Sequence, residues 1–298
     1  MLLLFRPPSG PVSSAMSMRV QIFSYLLTVG VAALVASTPS AARAQPDEAR
    51  VAFRAGRALA LAGQPDSALV TFAAVGSMAR ASGDWAMLTA AARATADVYL
   101  VYRSCADSAV RILQDAVTIA SPGDRSAADA LVRVLAASGD AAGARAVLVK
   151  AYADVPSVGR NITRESVTFL QGMAAVERAA KHEDAAATAL SSALQIATRM
   201  HEGDIQDSAT HAVGNVTAEN AWVLFDLAQL RLHAKSAGVV SVKEGTRLMD
   251  QLSAAWPTVE DPDTVRFPTS RIGDRLLLLA RECQKNGTSC PVPKPTKC

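Results

Sequence analysis

The sequence predicts an all-α fold, an α-solenoid of antiparallel helix pairs with a C-terminal closing helix, and three observations predict it. Alanine supplies about a fifth of the 298 residues, and alanine is the strongest helix former. Aromatic residues make up only 5%, less than the core of a sandwich or barrel draws on. From Asp47 onward, apolar residues recur at helical spacing between closely spaced turn signals. Alternating β-type runs are scarce, and none pairs with a hairpin turn. With 50% hydrophobic and 19% charged residues, the chain can bury a sizeable core and is no disordered tail.

The chain opens on a targeting segment. Arg19 precedes the apolar run 20–36, and Ala42-Arg43-Ala44 has the small-x-small form of a signal-peptidase site. Residues 1–44 are therefore expected to be a signal peptide cleaved before Gln45. Met16 or Met18 makes a more usual start than Met1, which would leave residues 1–15 as an extension. The alternative is an uncleaved anchor, because the run is near the lower limit for spanning a bilayer. Residues 1–44 hold Arg6, Arg19 and Arg43 of the 30 basic residues and none of the 27 acidic ones, so 27 of each remain after them. A neutral mature chain gives no reason to expect nucleic acid as a partner, nor stable membrane insertion after cleavage.

Helix pairs are predicted at about 47–80, 85–120, 125–154, 163–200 and 218–255, and a last helix near 270–285. Gly63-Gln64-Pro65-Asp66 turns the first pair, and Ser82-Gly83-Asp84 separates it from the second. Ser121-Pro122-Gly123-Asp124 precedes the third, whose own turn is Ser138-Gly139-Asp140, and Asp154-Val155-Pro156 closes it. Residues 45–200 thus read as helical repeats and 201–286 as a degenerate repeat with the closing helix. Within that second part, Trp222, Leu224, Leu227, Leu230 and Leu232 mark helix core, and Leu276 to Leu279 suit a buried closing helix. Residues 287–298 form a Pro-rich tail containing cysteine.

Four alanines, Ala68, Ala109, Ala144 and Ala186, share one local pattern. The first has Gly56, Leu59 and Gly63 before it and Phe72 after it. Ala109 has Ala96, Tyr99, Leu113 and Ala116, once its turn is allowed one extra residue. Ala144 has Val132, Leu135, Gly139, Asp140, Leu148, Ala151 and Pro156, and Ala186 has Ala174, Leu190 and Ala193. In each pair the small residues let two helices approach, and the large residue fills the gap between them. These residues resemble the tetratricopeptide repeat (TPR). The key alanines lie 41, 35 and 42 apart, against a usual period of about 34. Ala52, Ala92, Ala128 and Leu170 stand where that family carries tryptophan. Another Ala-rich helical array is the alternative.

The resemblance implies a concave face lined by first-helix residues, which here are Arg57, Arg93, Arg133 and Arg178, with Arg50 as an extra. Guanidinium groups in a groove suit carboxylates, such as a partner's C-terminus or acidic side chains. Asp97 and Asp129 share the face and dilute its charge. Solvated helix arginines are the bland alternative.

All four cysteines, Cys105, Cys283, Cys290 and Cys298, follow the targeting segment. In an oxidising compartment an even count favours disulfides. The Pro-rich stretch 291–295 holds Cys290 and Cys298 apart, whereas a turn separates Cys283 from Cys290. A Cys283–Cys290 bond is expected, with Cys298 reaching Cys105 or staying free.

No metal is expected, since no CxxC, CxxH or HExxH spacing occurs. His201, Glu202, Asp204, Asp207 and His211 read as a polar interhelix segment. No nucleophile elbow, Walker loop or dinucleotide fingerprint is present either. The expected function is a non-enzymatic, cofactor-free scaffold or adaptor, periplasmic or secreted, that binds a protein or peptide in the bacterial envelope. The alternative is an accessory subunit of an envelope enzyme, or a small-ligand-binding periplasmic protein.

Overall fold

This computed structural model describes residues 41–202, 218–233, 243, 245–250, 252, 272–287 and 298. The chain divides into two compact units, residues 1–45 and 46–298. Within the first unit only 41–45 are described, and they are helical; the expected signal peptide therefore lies almost wholly outside the described residues. The second unit carries the packed helices.

Among the described residues the fold is all-helical, with no strand. The helices are α1 (Ala41–Leu61), α2 (Pro65–Ser82), α3 (Trp85–Arg103), α4 (Ala106–Ile119) and α5 (Ser126–Ala137). They continue as α6 (Ala141–Ala151), α7 (Arg164–Ala179), α8 (Glu183–Glu202), α9 (Ala218–His233) and α10 (Ile272–Asn286). No helix among the described residues is long and apolar enough to cross a membrane.

The Gly-Asp dipeptides explain two of the boundaries. Gly83 ends α2 in the left-handed region at φ 69°, and its amide donates back to Ala79 and Arg80. Asp84 then caps α3 by accepting from the Met87 amide at 3.0 Å. Gly139 (φ 90°) and Asp140 repeat the device between α5 and α6, Asp140 accepting from Gly143 at 2.8 Å. A left-handed glycine stops one helix at no steric cost, and the aspartate satisfies an orphan amide of the next. Two residues thus suffice for each connection. Between α1 and α2, Pro65 starts the helix with its ring preset for the first turn.

Consecutive helices pack on each other from α2 through to α9. In addition α3 packs on α5, α5 on α7, and α7 on α9. The odd-numbered helices therefore touch in series, and the even-numbered ones fill between them. The key alanines Ala68, Ala109, Ala144 and Ala186 are all fully buried at these junctions. Phe72, Leu113, Leu148 and Leu190, four residues later in each, are buried with them. The small positions carry the close approach. A Cβ on Gly56 would stand 2.7 Å from Phe72 Cε1, and one on Gly172 would stand 2.8 Å from Leu148 Cδ1. Val132, the largest residue at such a position, is nonetheless fully buried.

The core is correspondingly a row of clusters rather than one centre. One joins α1, α2 and α3 through Phe53, Phe72, Val75 and Val98. The next joins α3, α4 and α5, and a third joins α5, α6 and α7 around Leu148, Tyr152 and Val176. The last gathers α7, α8 and α9 with Leu248, Met249 and Leu252. In α9 the consecutive residues Trp222, Val223, Leu224 and Phe225 are all buried, so that helix is enclosed on every side. Leu227 and Leu230 are buried beside them, as expected of core.

The closing helix does not continue the row. α10 returns to α3, and its Ile272 and Leu276 enter the cluster of the first helices. Leu279, expected in the buried stretch, is exposed at 38%. It follows Leu276 by three positions, beyond the short inward arc of Ile272, Gly273 and Leu276.

Candidate functional site

The four arginines of the expected groove fall into three environments. Arg57 on α1 is buried, with 6% of its surface exposed. Arg93 on α3 and Arg133 on α5 are half-buried, and Arg178 in the last turn of α7 is exposed. The extra residue, Arg50 on α1, is exposed and lies 3.9 Å from the Asp47 carboxylate. The structure thus brings Arg93 and Arg133 into one electrostatic neighbourhood and sets Arg57 and Arg178 apart by burial.

Arg93 is the centre of this neighbourhood. Burial lowers its pKa most strongly; Asp97, Asp129 and Asp124 oppose that effect, and Arg133 adds to it. Its Nε is buried with no hydrogen-bond partner among the described residues. A guanidinium held this way keeps its charge, since an arginine deprotonates only far above physiological pH.

Asp129 on α5 is the second element. Burial pushes its carboxyl up to about 6, against the hydrogen bond from Tyr152 and the charges of Arg93 and Arg125. The Tyr152 hydroxyl donates to Asp129 Oδ1 at 3.0 Å, and burial followed by Asp129 raises the tyrosine in turn. Arg125 lies over the Tyr152 ring, its Cζ 5.3 Å from the centroid. Its Nε donates to the Ala151 carbonyl at 2.8 Å, and Nη2 reaches both Asp154 oxygens at 2.7 and 2.8 Å. The Arg125 hydrogen bond holds the Asp154 carboxyl below its usual range. A continuous polar chain thus runs from α3 through α5 to the residues after α6.

The third element is the other acid of the face. Asp97 Oδ2 accepts from the Ile272 amide at 3.3 Å, so it caps α10. At the next residue, the Gly273 backbone lies against Val101, where an added Cβ would stand 2.8 Å from Val101 Cγ2. Asp97 and Val101 are four residues apart on one side of α3, the side that also carries Arg93.

The cysteines complete the region. Cys105, at the N-terminal cap of α4, is joined to Cys298 with their Cα atoms 5.6 Å apart. Cys283, near the end of α10, is disulfide-bonded as well. Its expected partner Cys290 lies outside the described residues, as do Asp204, Asp207 and His211 of the polar segment. Among the described residues no group of three or more His, Cys, Asp or Glu could hold a metal ion.

Sequence reasoning placed Asp129 on the face but missed Tyr152 and Arg125 as its supports. Those residues lie 23 positions after it and four before it, at no helical spacing that links all three, so no local signal connects them. No protein-family model, curated protein or solved structure matches this chain.

Proposed function

We propose that this chain is an exported helical-repeat scaffold that holds a protein or peptide partner in the bacterial envelope, along the face carried by α3, α5 and α7. One observation carries the reading: these first helices pack in series, with a second helix between each two and a fully buried alanine at every junction. Helix pairs that each contact their neighbours make a solenoid of the tetratricopeptide kind, and such a solenoid offers an extended, preformed surface. Packed clusters in a row keep that surface rigid, which limits the ordering cost of binding.

The charged groups on the face favour selection over simple attraction of anions. Arg93 and Arg133 supply donors in a partly desolvated setting, while Asp97 and Asp129 discourage a uniformly acidic partner. Arg57, being buried, serves the fold more than the partner. Disulfide bonding at Cys105 and Cys283 suits an oxidising compartment.

The experiment is affinity capture from an envelope extract with the full chain, run in parallel with Arg93→Glu/Arg133→Glu. A defined partner that survives stringent washing and is lost with the double variant supports the reading. Retention of that partner at unchanged affinity, or catalytic turnover by the purified chain, overturns it.

A further inference from the structure

We propose that α10 is an exchangeable strap over the α3 face, locked by the Cys105–Cys298 disulfide, and that opening this bond presents the face to a partner's amphipathic helix of the same pattern. The inference rests on the scaffold reading above, because it names what occupies part of that face and what releases it.

Four observations converge on the strap. α10 follows α9 in the chain, yet it packs on α3 at the other end of the helix order. Its docked side is small and apolar, comprising Ile272, Gly273 and Leu276, of which Ile272 and Leu276 are buried. Gly273 permits the backbone to lie on Val101, where any side chain would collide. The Ile272 amide, which leads the helix, is satisfied by Asp97 of the receiving helix. Toward the other end, Lys285 pairs with Asp250 at 3.1 Å between two half-exposed side chains, a contact worth little in water. The seat is therefore specific at the N-terminal end of α10, and the ion pair at its C-terminal end adds little.

The disulfide holds that second end. Cys298, the last residue, is exposed, and Cys105 is 5% exposed just beyond the same helix α3 that receives α10. While the bond is intact α10 is tethered on both sides, so its effective concentration at the seat is high and a competing helix is excluded. With the bond open, one tether remains and the seat becomes available to exchange.

Opening requires a dithiol reductant. Its thiolate attacks the exposed Cys298 Sγ, the Cys105–Cys298 bond breaks, and the leaving electron pair on Cys105 Sγ takes up a proton. The second thiol of the reductant then attacks the mixed disulfide, releasing Cys298 as a thiol and leaving the reductant oxidised. Two electrons and two protons pass to the protein. The N-terminal end of α4 favours the departing Cys105 thiolate, while Asp107 in its first turn acts against it.

A labelled synthetic peptide of residues 270–287 carrying Cys283→Ser is the probe, added to the full chain and followed by anisotropy. The Cys105→Ser/Cys298→Ser protein is expected to bind it at least about tenfold more tightly than the oxidised protein does. Amides of α10 in that variant should exchange faster, with α5 to α8 unchanged. Adding Val101→Asp should abolish uptake of the peptide. Should the double cysteine variant fail to fold, Ile272→Asp undocks the strap with the disulfide intact and is expected to take up the peptide. Equal binding by oxidised and cysteine-free protein, or no binding by either released variant while far-ultraviolet circular dichroism shows it folded, overturns the strap. A strap that fails while the envelope partner still depends on Arg93 and Arg133 leaves the scaffold reading standing.

Discussion

Asp97 and Ile272 stand 175 positions apart, and the Ile272 amide donates to Asp97 Oδ2 at 3.3 Å. The first amides of a helix have no acceptor within it, so α3 provides one from across the fold. Asp97→Ala is expected to fray the first turn of α10 and cost about 0.5–2 kcal/mol. Asp97→Asn, which keeps an acceptor oxygen, should cost less. Hydrogen exchange checks this: faster exchange confined to residues 272–276 is the expected result, and uniform loss of protection contradicts it.

Gly56 meets Phe72 where α1 crosses α2, with room for no Cβ. The ring is fully buried and also faces Phe53, 5.6 Å between centroids, so it cannot retreat cheaply. Gly56→Val is expected to destabilise by about 1–3 kcal/mol through overpacking, and Phe72→Ala by about 3–5 kcal/mol through the cavity it leaves. Denaturant melts measure both. A Gly56→Val protein as stable as the parent would place the helix contact elsewhere.

The Asp129 carboxyl makes the fold sensitive to mildly acidic pH. It titrates near 3.8 when unfolded and at about 6 when folded, because burial disfavours its charge. Between those values the folded state binds more protons. The stability it contributes is full below the lower value and is lost as pH rises through the higher one. At about 1.4 kcal/mol per unit, the decline between pH 4 and 6 reaches at most about 3 kcal/mol. Asp129→Asn, which still accepts from Tyr152, should flatten that part of the stability profile. Tyr152→Phe removes a hydrogen bond that favours the charged form and should move the inflection to higher pH.

Arg125 ties the residues after α6 to the start of α5, through Ala151 and the Tyr152 ring. Arg125→Ala is expected to cost about 1–3 kcal/mol from the lost hydrogen bond and cation–π contact. Asp154 is fully solvated, so Asp154→Asn should change the melting temperature far less. Comparable losses from both variants would mean that the exposed ion pair, and not the buried contacts, holds this corner.

The four buried alanines were legible from spacing, since each depends on residues within about a turn or two of helix and on the small–large alternation that close packing imposes. The Gly-Asp connections were legible for the same reason: a left-handed stop and a side-chain cap act over three residues. The arginine row was legible as a set of positions but not as a set of environments. Arg57 and Arg178 occupy matching places in the pattern, yet one is buried and the other exposed. Burial at a helix surface is decided by whichever helix covers it.

By itself, then, the sequence determined that this chain is helical, where its helices begin and end, and which small residues lie at their junctions. All of these are set by local propensity, capping and helical period. Only the tertiary structure decided that α10 turns back to α3, that Cys298 finds Cys105, that Asp97 caps a distant helix and that Asp129 holds its proton up to about pH 6. Each of these depends on neighbours brought together across the chain, through burial and loop closure, and no local period encodes them.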